Sequence, residues 1–434
     1  MLSLEGLSLE FADQAAKSGL MPHLGDILSR GALVRVQAAL PTVGSVTWAT
    51  YATGAGPGKH GVFGFVDRTP NPFQVHIPNA QDLRLPAIWQ VLSRNGKQVG
   101  VMNLPLTYPP QRVNGFMVSC SLAPELAKGT YPVELAPRLM ELDYRIEADT
   151  RLASQDMGAF LEDLERTMSA RFSACLELMR TESWDFFHLH LSSCDLINYF
   201  LWSDDLQGED SFRQEYQAFH RKLDSYLGEL FHTLPDGCRL AVVSGNGFTR
   251  TKAVVYLNRW LEENGYLHFA RGKRSLVEMH PESRAYSLVP GRVYLNLKGR
   301  EERGSVERGK AYEELREELI HRLGGLSHPE NGEPLVGRIH RREDLYAGPQ
   351  LKLAPDLIIE PAPGYELKAS LDGPAVLGPP QLPGMHLGSG GFFFLEGAKS
   401  LQAQGPVSLA DVAPTLLELL DVAPPPEVDG RSLL

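Results

Sequence analysis

The sequence predicts an α/β protein: a central, mostly parallel sheet with helices on both faces and inserted cap segments. Three observations lead there. Short apolar runs recur along the chain at 32–36, 95–103 (NGKQVGVMN), 184–191 (WDFFHLHL) and 239–244 (RLAVVS). Each follows a segment of helical character, and strands alternating with helices at this spacing favour a parallel sheet covered on both faces. The length of 434 residues exceeds one small domain and suits two or three domains, or one large α/β core carrying insertions.

Taken in order, the first forty residues read as a very short strand, a helix and a turn into a second strand. Leu20, Met21, Pro22, His23 and Leu24 open an apolar-periodic run through Leu28 that stops at Gly31, as glycine commonly ends helices. Residues 1–106 form the first part of the core. Residues 107–181 hold several prolines and then a long amphipathic helix, with Phe160, Leu161, Leu164, Met168, Phe172, Cys175, Leu176 and Met179 at helical spacing. This stretch reads as a helical cap. Residues 182–248 continue the core. Residues 249–347, with a β-rich patch at 293–297 and a charged helix at 311–323, read as a smaller α+β insertion, and 348–434 closes the core. No internal repeat interrupts this order.

Composition bounds the function classes. A hydrophobic fraction of 43% with 22% charged residues is that of an ordinary globular protein. A net charge of −11 gives no long-range attraction for nucleic acid or anionic lipid, so neither a nucleic acid nor a membrane is an expected partner. Cys120, Cys175, Cys194 and Cys238 lie far apart with no CxxC pattern, which indicates neither a zinc module nor a disulfide framework. The chain shows no cationic start with an apolar run and no stretch of membrane-spanning length; a cytoplasmic location is the expectation.

The segment 40–65, LPTVGSVTWATYATGAGPGKHGVFGF, is the most informative. Its Thr53-Gly54, Pro57 and Lys59-His60-Gly61 resemble the TG-x-x-P-x-x-HG run beside the nucleophile of type I phosphodiesterases and nucleotide pyrophosphatases, a branch of the alkaline phosphatase superfamily. The segments 291–303 (GRVYLNLKGREER), 354–359 (APDLII) and 408–433, closing on DGRSL, resemble further family segments in the same order. The resemblance therefore covers nearly the whole chain. It implies an alkaline-phosphatase-like fold with two divalent metals, commonly zinc, at the C-terminal ends of the central strands. There a hydroxyl nucleophile attacks phosphorus while the metals stabilise the attacking and leaving oxygens.

Carried over residue by residue, the resemblance breaks where the chemistry should be. Glu5 stands at the first ligand position, an Asp in the family, and its extra methylene displaces the oxygen. The nucleophile position is Gly44. Ser45 is adjacent, but one residue at a helix start turns a side chain by about 100°, so Ser45 is either a substitute nucleophile or a helix cap. The family's Asp-x-x-x-His pair becomes Asp195 and Tyr199, and tyrosine, with an ordinary pKa of about 10, is a poor zinc ligand at neutral pH. Its Asp-His pair becomes Gly245 and Asn246. The final His is retained as His386. One metal position keeps Asp195 and His386, the other at most Glu5. A catalytic zinc usually needs three protein ligands, so at most one weakly bound divalent ion is expected.

Other residues take bland readings. His60 is read as packing in a turn, His188 and His190 as core histidines on one side of a strand, Cys194 as a buried apolar group, and the glycine-rich 388–391 as a loop. Two functions follow. In the first, the chain has lost two-metal phosphoester hydrolysis and binds a phosphorylated or nucleotide ligand, or pairs as a homo- or hetero-oligomer with a homologue. In the second, it is an active hydrolase or transferase on a phosphoester, nucleotide or sulfoester, with an altered single-metal or metal-independent centre built from Glu5, Asp195, His386 and Ser45.

Overall fold

A computed structural model describes residues 1–202, 211–270, 274–288, 290–402 and 405–434. The core is an eight-stranded sheet of β1 (Leu2–Leu4), β2 (Gly31–Val36), β3 (Val99–Met102), β4 (Gly115–Val118), β5 (Thr130–Tyr131), β6 (Phe186–Leu191), β7 (Ala241–Ser244) and β8 (Gly391–Glu396). Their spatial order is β2-β8-β7-β1-β6-β3-β4-β5. From β7 through β4 all neighbours are parallel, while β8 runs antiparallel to both β7 and β2, and β5 to β4.

Strand alternation sorts the two faces. Leu2, Leu4, Phe187, Leu189 and Leu191 join an apolar layer with helices Leu9–Lys17, Met157–Thr181 and Ser211–Thr233. Val99, Val101, Phe186 and Val243 join the opposite layer, under helices Gly44–Thr53, Ile88–Arg94 and Val412–Leu419. Ser3, His188 and His190 occupy the alternate positions and therefore face this second layer, where His188 and His190 meet the rings of Tyr51 and Trp48. The Gly44–Thr53 helix is buried on every residue from Val46 to Thr53 and ends at Gly54, whose φ of 64° breaks the helical path. No described helix is long and apolar enough to cross a membrane.

Two stretches read as insertions also supply strands. Within 107–181, β4 and β5 extend the central sheet, and the Met157–Thr181 helix packs on its first face. Phe116, Met117 and Val118 of β4 are buried, but at four residues among prolines the strand is too brief to display a period. Within 249–347, strands Ala285–Leu288, Arg292–Leu295 and Val336–Arg341 form an antiparallel sheet completed by Leu357–Pro361 from beyond that stretch.

His220, on the Ser211–Thr233 helix, makes one expectation about pH. It is wholly buried against Phe11, Tyr216 and Phe219. Its Nδ1–H donates to the Tyr216 carbonyl at 2.8 Å, and its Nε2 has no partner among the described residues. Burial lowers its pKa from 6.5 to about 4. Above pH 6.5 the folded and unfolded rings are both neutral. As pH falls from 6.5 towards 4, the unfolded chain takes up a proton that the folded one refuses, and up to roughly 3 kcal/mol of stability is lost. Urea unfolding across that window should show the loss, and His220→Phe should reduce its slope.

Candidate active site

The parallel strands deliver the candidate residues to one edge of the sheet. The β1 pairing continues one residue further, Glu5 N–H donating to the Leu191 carbonyl at 3.0 Å. The chain then turns at Gly6, whose φ is 83° and whose missing Cβ would lie 2.7 Å from the Asp195 Cα, so only glycine fits. Asp195 and Tyr199 sit on the helix Ser193–Leu201 directly after β6, rather than on a loop. Gly245 and Asn246 follow β7. His386 lies on the strand Gly384–Leu387, opposite Phe248 of Gly247–Arg250. Gly44 opens its helix with Val43 at the N-cap, where no side chain caps it. Ser45 is thus the second helical residue and not a cap, and its Oγ is buried without a partner among the described residues.

Two hydrogen-bonded groups occupy the site. In the first, His386 Nε2 lies 2.6 Å from Asp195 Oδ1. Burial opposes the charged ring, but the charge and hydrogen bond of Asp195 raise its pKa above the ordinary value. Burial pushes the Asp195 carboxyl up against the pull of His386.

The second group is a chain of contacts centred on Glu5. Trp48 Nε1–H donates to Glu5 Oε1 at 2.9 Å, and His190 Nε2 meets Oε2 at 3.1 Å. His190 Nδ1 contacts Ser3 Oγ at 2.8 Å, Ser3 Oγ contacts His188 Nε2 at 3.0 Å, and His188 Nδ1 contacts the Tyr51 hydroxyl at 3.2 Å. Burial resists ionisation of Glu5, but the hydrogen bond and charge of His190 hold its pKa below the usual value. The distances fit a series in which Tyr51 donates to His188, His188 to Ser3, Ser3 to His190, and His190 to Glu5. Burial keeps His188 neutral by lowering its pKa well below the ordinary value. His188 and His190 are core residues, as expected, yet His190 also fastens a site residue. The link runs through the β1–β6 register, Ser3 opposite His190, a pairing across the chain that local sequence does not display.

A family profile described as type I phosphodiesterase / nucleotide pyrophosphatase matches residues 1–387. The chain belongs to this family. Among solved structures, phosphonoacetate hydrolase from Sinorhizobium meliloti 1021 in complex with phosphonoformate is similar at 18% identity and TM-score 0.65, over 95% of this chain and 93% of that one. Murine ectonucleotide pyrophosphatase / phosphodiesterase 5 is similar at 14% identity and TM-score 0.59, over 98% and 95%. The human protein of that name gives 14% and 0.58, over 99% and 96%. At these identities the likeness shows the alkaline-phosphatase-like fold. No curated protein matches the sequence.

The type I phosphodiesterase resemblance implies two zinc ions, and the residues of this family member do not fit them. A ligand must turn a lone pair to the metal. His386 Nε2 is engaged by Asp195, and both Glu5 oxygens are engaged by Trp48 and His190. Burial raises the Tyr199 pKa well above its ordinary value, and its ring packs 5.1 Å from both Phe248 and His386. Asn246 is buried, with its amide donating to the Gly247 carbonyl at 3.1 Å. Burial also pushes the Cys194 thiol up to about 12, which keeps it protonated. No group of three or more His, Cys, Asp or Glu suited to a metal occurs among the described residues.

The glycines matter more. A Cβ on Gly44 would lie 2.8 Å from Glu5 Oε1, and one on Gly245 would lie 2.3 Å from Thr47 Cγ2. Side chains of this same protein stand where larger residues at 44 and 245 would need to begin.

Proposed function

We propose that this family member has lost two-metal phosphoester hydrolysis and uses the retained fold in a binding role, as a receptor for a phosphorylated or nucleotide ligand or as the partner of a homologue, in a cytoplasmic setting. The observation that carries the reading is the filling of both substituted positions, Gly44 by the Glu5 carboxylate and Gly245 by the Thr47 methyl. A position that had merely lost its side chain would leave a gap. Here the neighbouring residues fill the space.

The test is metal analysis of the purified protein together with turnover of a generic aryl phosphodiester, with and without added zinc. The expected result is zinc far below one equivalent and turnover at background in both conditions. Stoichiometric zinc with rapid turnover that Asp195→Ala or His386→Ala abolishes would establish the opposite, an active hydrolase with an altered centre.

A further inference from the structure

We propose that strand β2 is a self-pairing edge, through which two copies of this chain join their central sheets about a two-fold axis. The inference goes beyond the binding role above and does not depend on it.

β2 (Gly31–Val36) is the last strand on its side of the sheet, with β8 as its neighbour. Which of its main-chain groups are spent follows from the ladder. Glu396 N–H donates to the Leu240 carbonyl, one step beyond the Leu395–Ala241 pair. Bonded positions alternate along an antiparallel pair, so Gly391, Phe393 and Leu395 turn the other way, to Val36, Val34 and Ala32 of β2. Gly397 N–H donating to the Arg30 carbonyl continues the same phase. Gly31, Leu33 and Arg35 therefore point their N–H and C=O groups outward. On that side Gln37 N–H is taken by the Val407 carbonyl, and the main-chain groups of Gly31, Leu33 and Arg35 have no partner among the described residues.

Edge strands are usually blunted by proline, by a bulge or by several charges. β2 carries no proline and no shift of register against β8. Its one charge is Arg35, which pairs with Glu10 of the same chain.

A second copy suits this edge because the strand is complementary to itself. A two-fold axis at Leu33 sets Leu33 against Leu33, Val34 against Ala32, and Arg35 against Gly31 of the other copy. The three outward residues of each strand then exchange N–H and C=O groups with those of the other. Leu33 and Val34, each half-buried, lie on the two opposite apolar layers, so the joined sheet gains apolar contact on both faces. Like charges directly opposite would resist pairing, and in this register each arginine meets a glycine. Such a contact uses the same patch on both copies and closes at a dimer.

Sedimentation equilibrium of the full chain tests this. Wild type should pass from dimer to monomer on dilution. Leu33→Lys and Leu33→Glu each set like charges against one another and should weaken the dimer at least about tenfold. An equimolar mixture of the two should regain it as a heterodimer, because residue 33 meets its own counterpart. Leu33→Pro removes an outward N–H and leaves the bonds to β8 in place, so it should be monomeric while unfolding cooperatively. Hydrogen exchange on wild type needs no variant: the 31–36 amides should exchange faster below the dissociation constant than above it. The proposal is overturned if wild type stays monomeric at its highest soluble concentration or if a folded variant at 33 dimerises as wild type does. It is equally overturned if the lysine and glutamate variants stay apart when mixed, or if dilution leaves exchange at 31–36 unchanged.

Discussion

Gly245→Asp is expected to destabilise the protein by about 3–5 kcal/mol and to bring no metal with it. Its Cβ would meet Thr47 Cγ2 at 2.3 Å, inside any van der Waals contact, and overpacking of a tight interior costs about 1–3 kcal/mol. The carboxylate adds to this, because a buried charge without a counter-ion costs several kcal/mol more. The nearest residues offer it no counter-charge: Thr47 is on the Gly44–Thr53 helix and Leu409 Cδ2 lies 3.7 Å from the Cβ position. The steric part can be separated. With Thr47→Ala added, the closest atoms become the residue 47 Cβ and Leu409 Cδ2, both at 3.7 Å, an ordinary contact. The double variant should therefore regain at least about 1 kcal/mol over Gly245→Asp in urea unfolding, with zinc content unchanged. A single variant as stable as wild type, or one that acquires stoichiometric zinc, would contradict the packing described for this site.

A comparable loss is expected far from the site. Asp356 is wholly buried and accepts from the Leu295 N–H at 2.7 Å, from Arg300 Nη1 and Nη2 at 2.8 and 2.6 Å, and from the Tyr312 hydroxyl at 2.8 Å. Arg342 lies 3.3 Å away. Burial works against its ionisation, but the charge of Arg300 prevails and holds its pKa below the usual range. Asp356→Ala would take the shared carboxylate from Arg300 and Arg342, leaving each only its neighbouring glutamate, Glu301 at 2.9 Å and Glu343 at 3.2 Å. Breaking a buried pair from one side costs about 3–5 kcal/mol, and that loss should appear in denaturant unfolding. The exposed pair Lys17–Asp13 provides the contrast: Asp13→Ala should change stability by less than about 1 kcal/mol. Equal effects at the two positions would show that burial does not govern these ion pairs.

Much of the scaffold was legible in the sequence because its signals are local. The run 32–36 is β2, 239–244 contains β7, and the periodic helix at 157–179 is Met157–Thr181. Strands of two to four residues such as β4 and β5 carry too few positions to show alternation. Motif order also located Glu5, Asp195 and His386, which the structure brings to one edge of the sheet. What fills the space around them was not legible. Thr47 closing over Gly245, and Trp48 and His190 fastening Glu5, depend on side-chain volumes that meet only after β1, β6 and the Gly44–Thr53 helix have packed. Ser45 was open to a capping role only until the helix start fell at Gly44.

The two glycine positions also bear on how the protein can change. Each is half of a packed pair, Gly44 with Glu5 and Gly245 with Thr47, so a larger residue at either glycine requires its neighbour to yield first or at the same time. Substitution at these places is coupled: neither glycine can be exchanged for a larger residue independently of the side chain that lies against it.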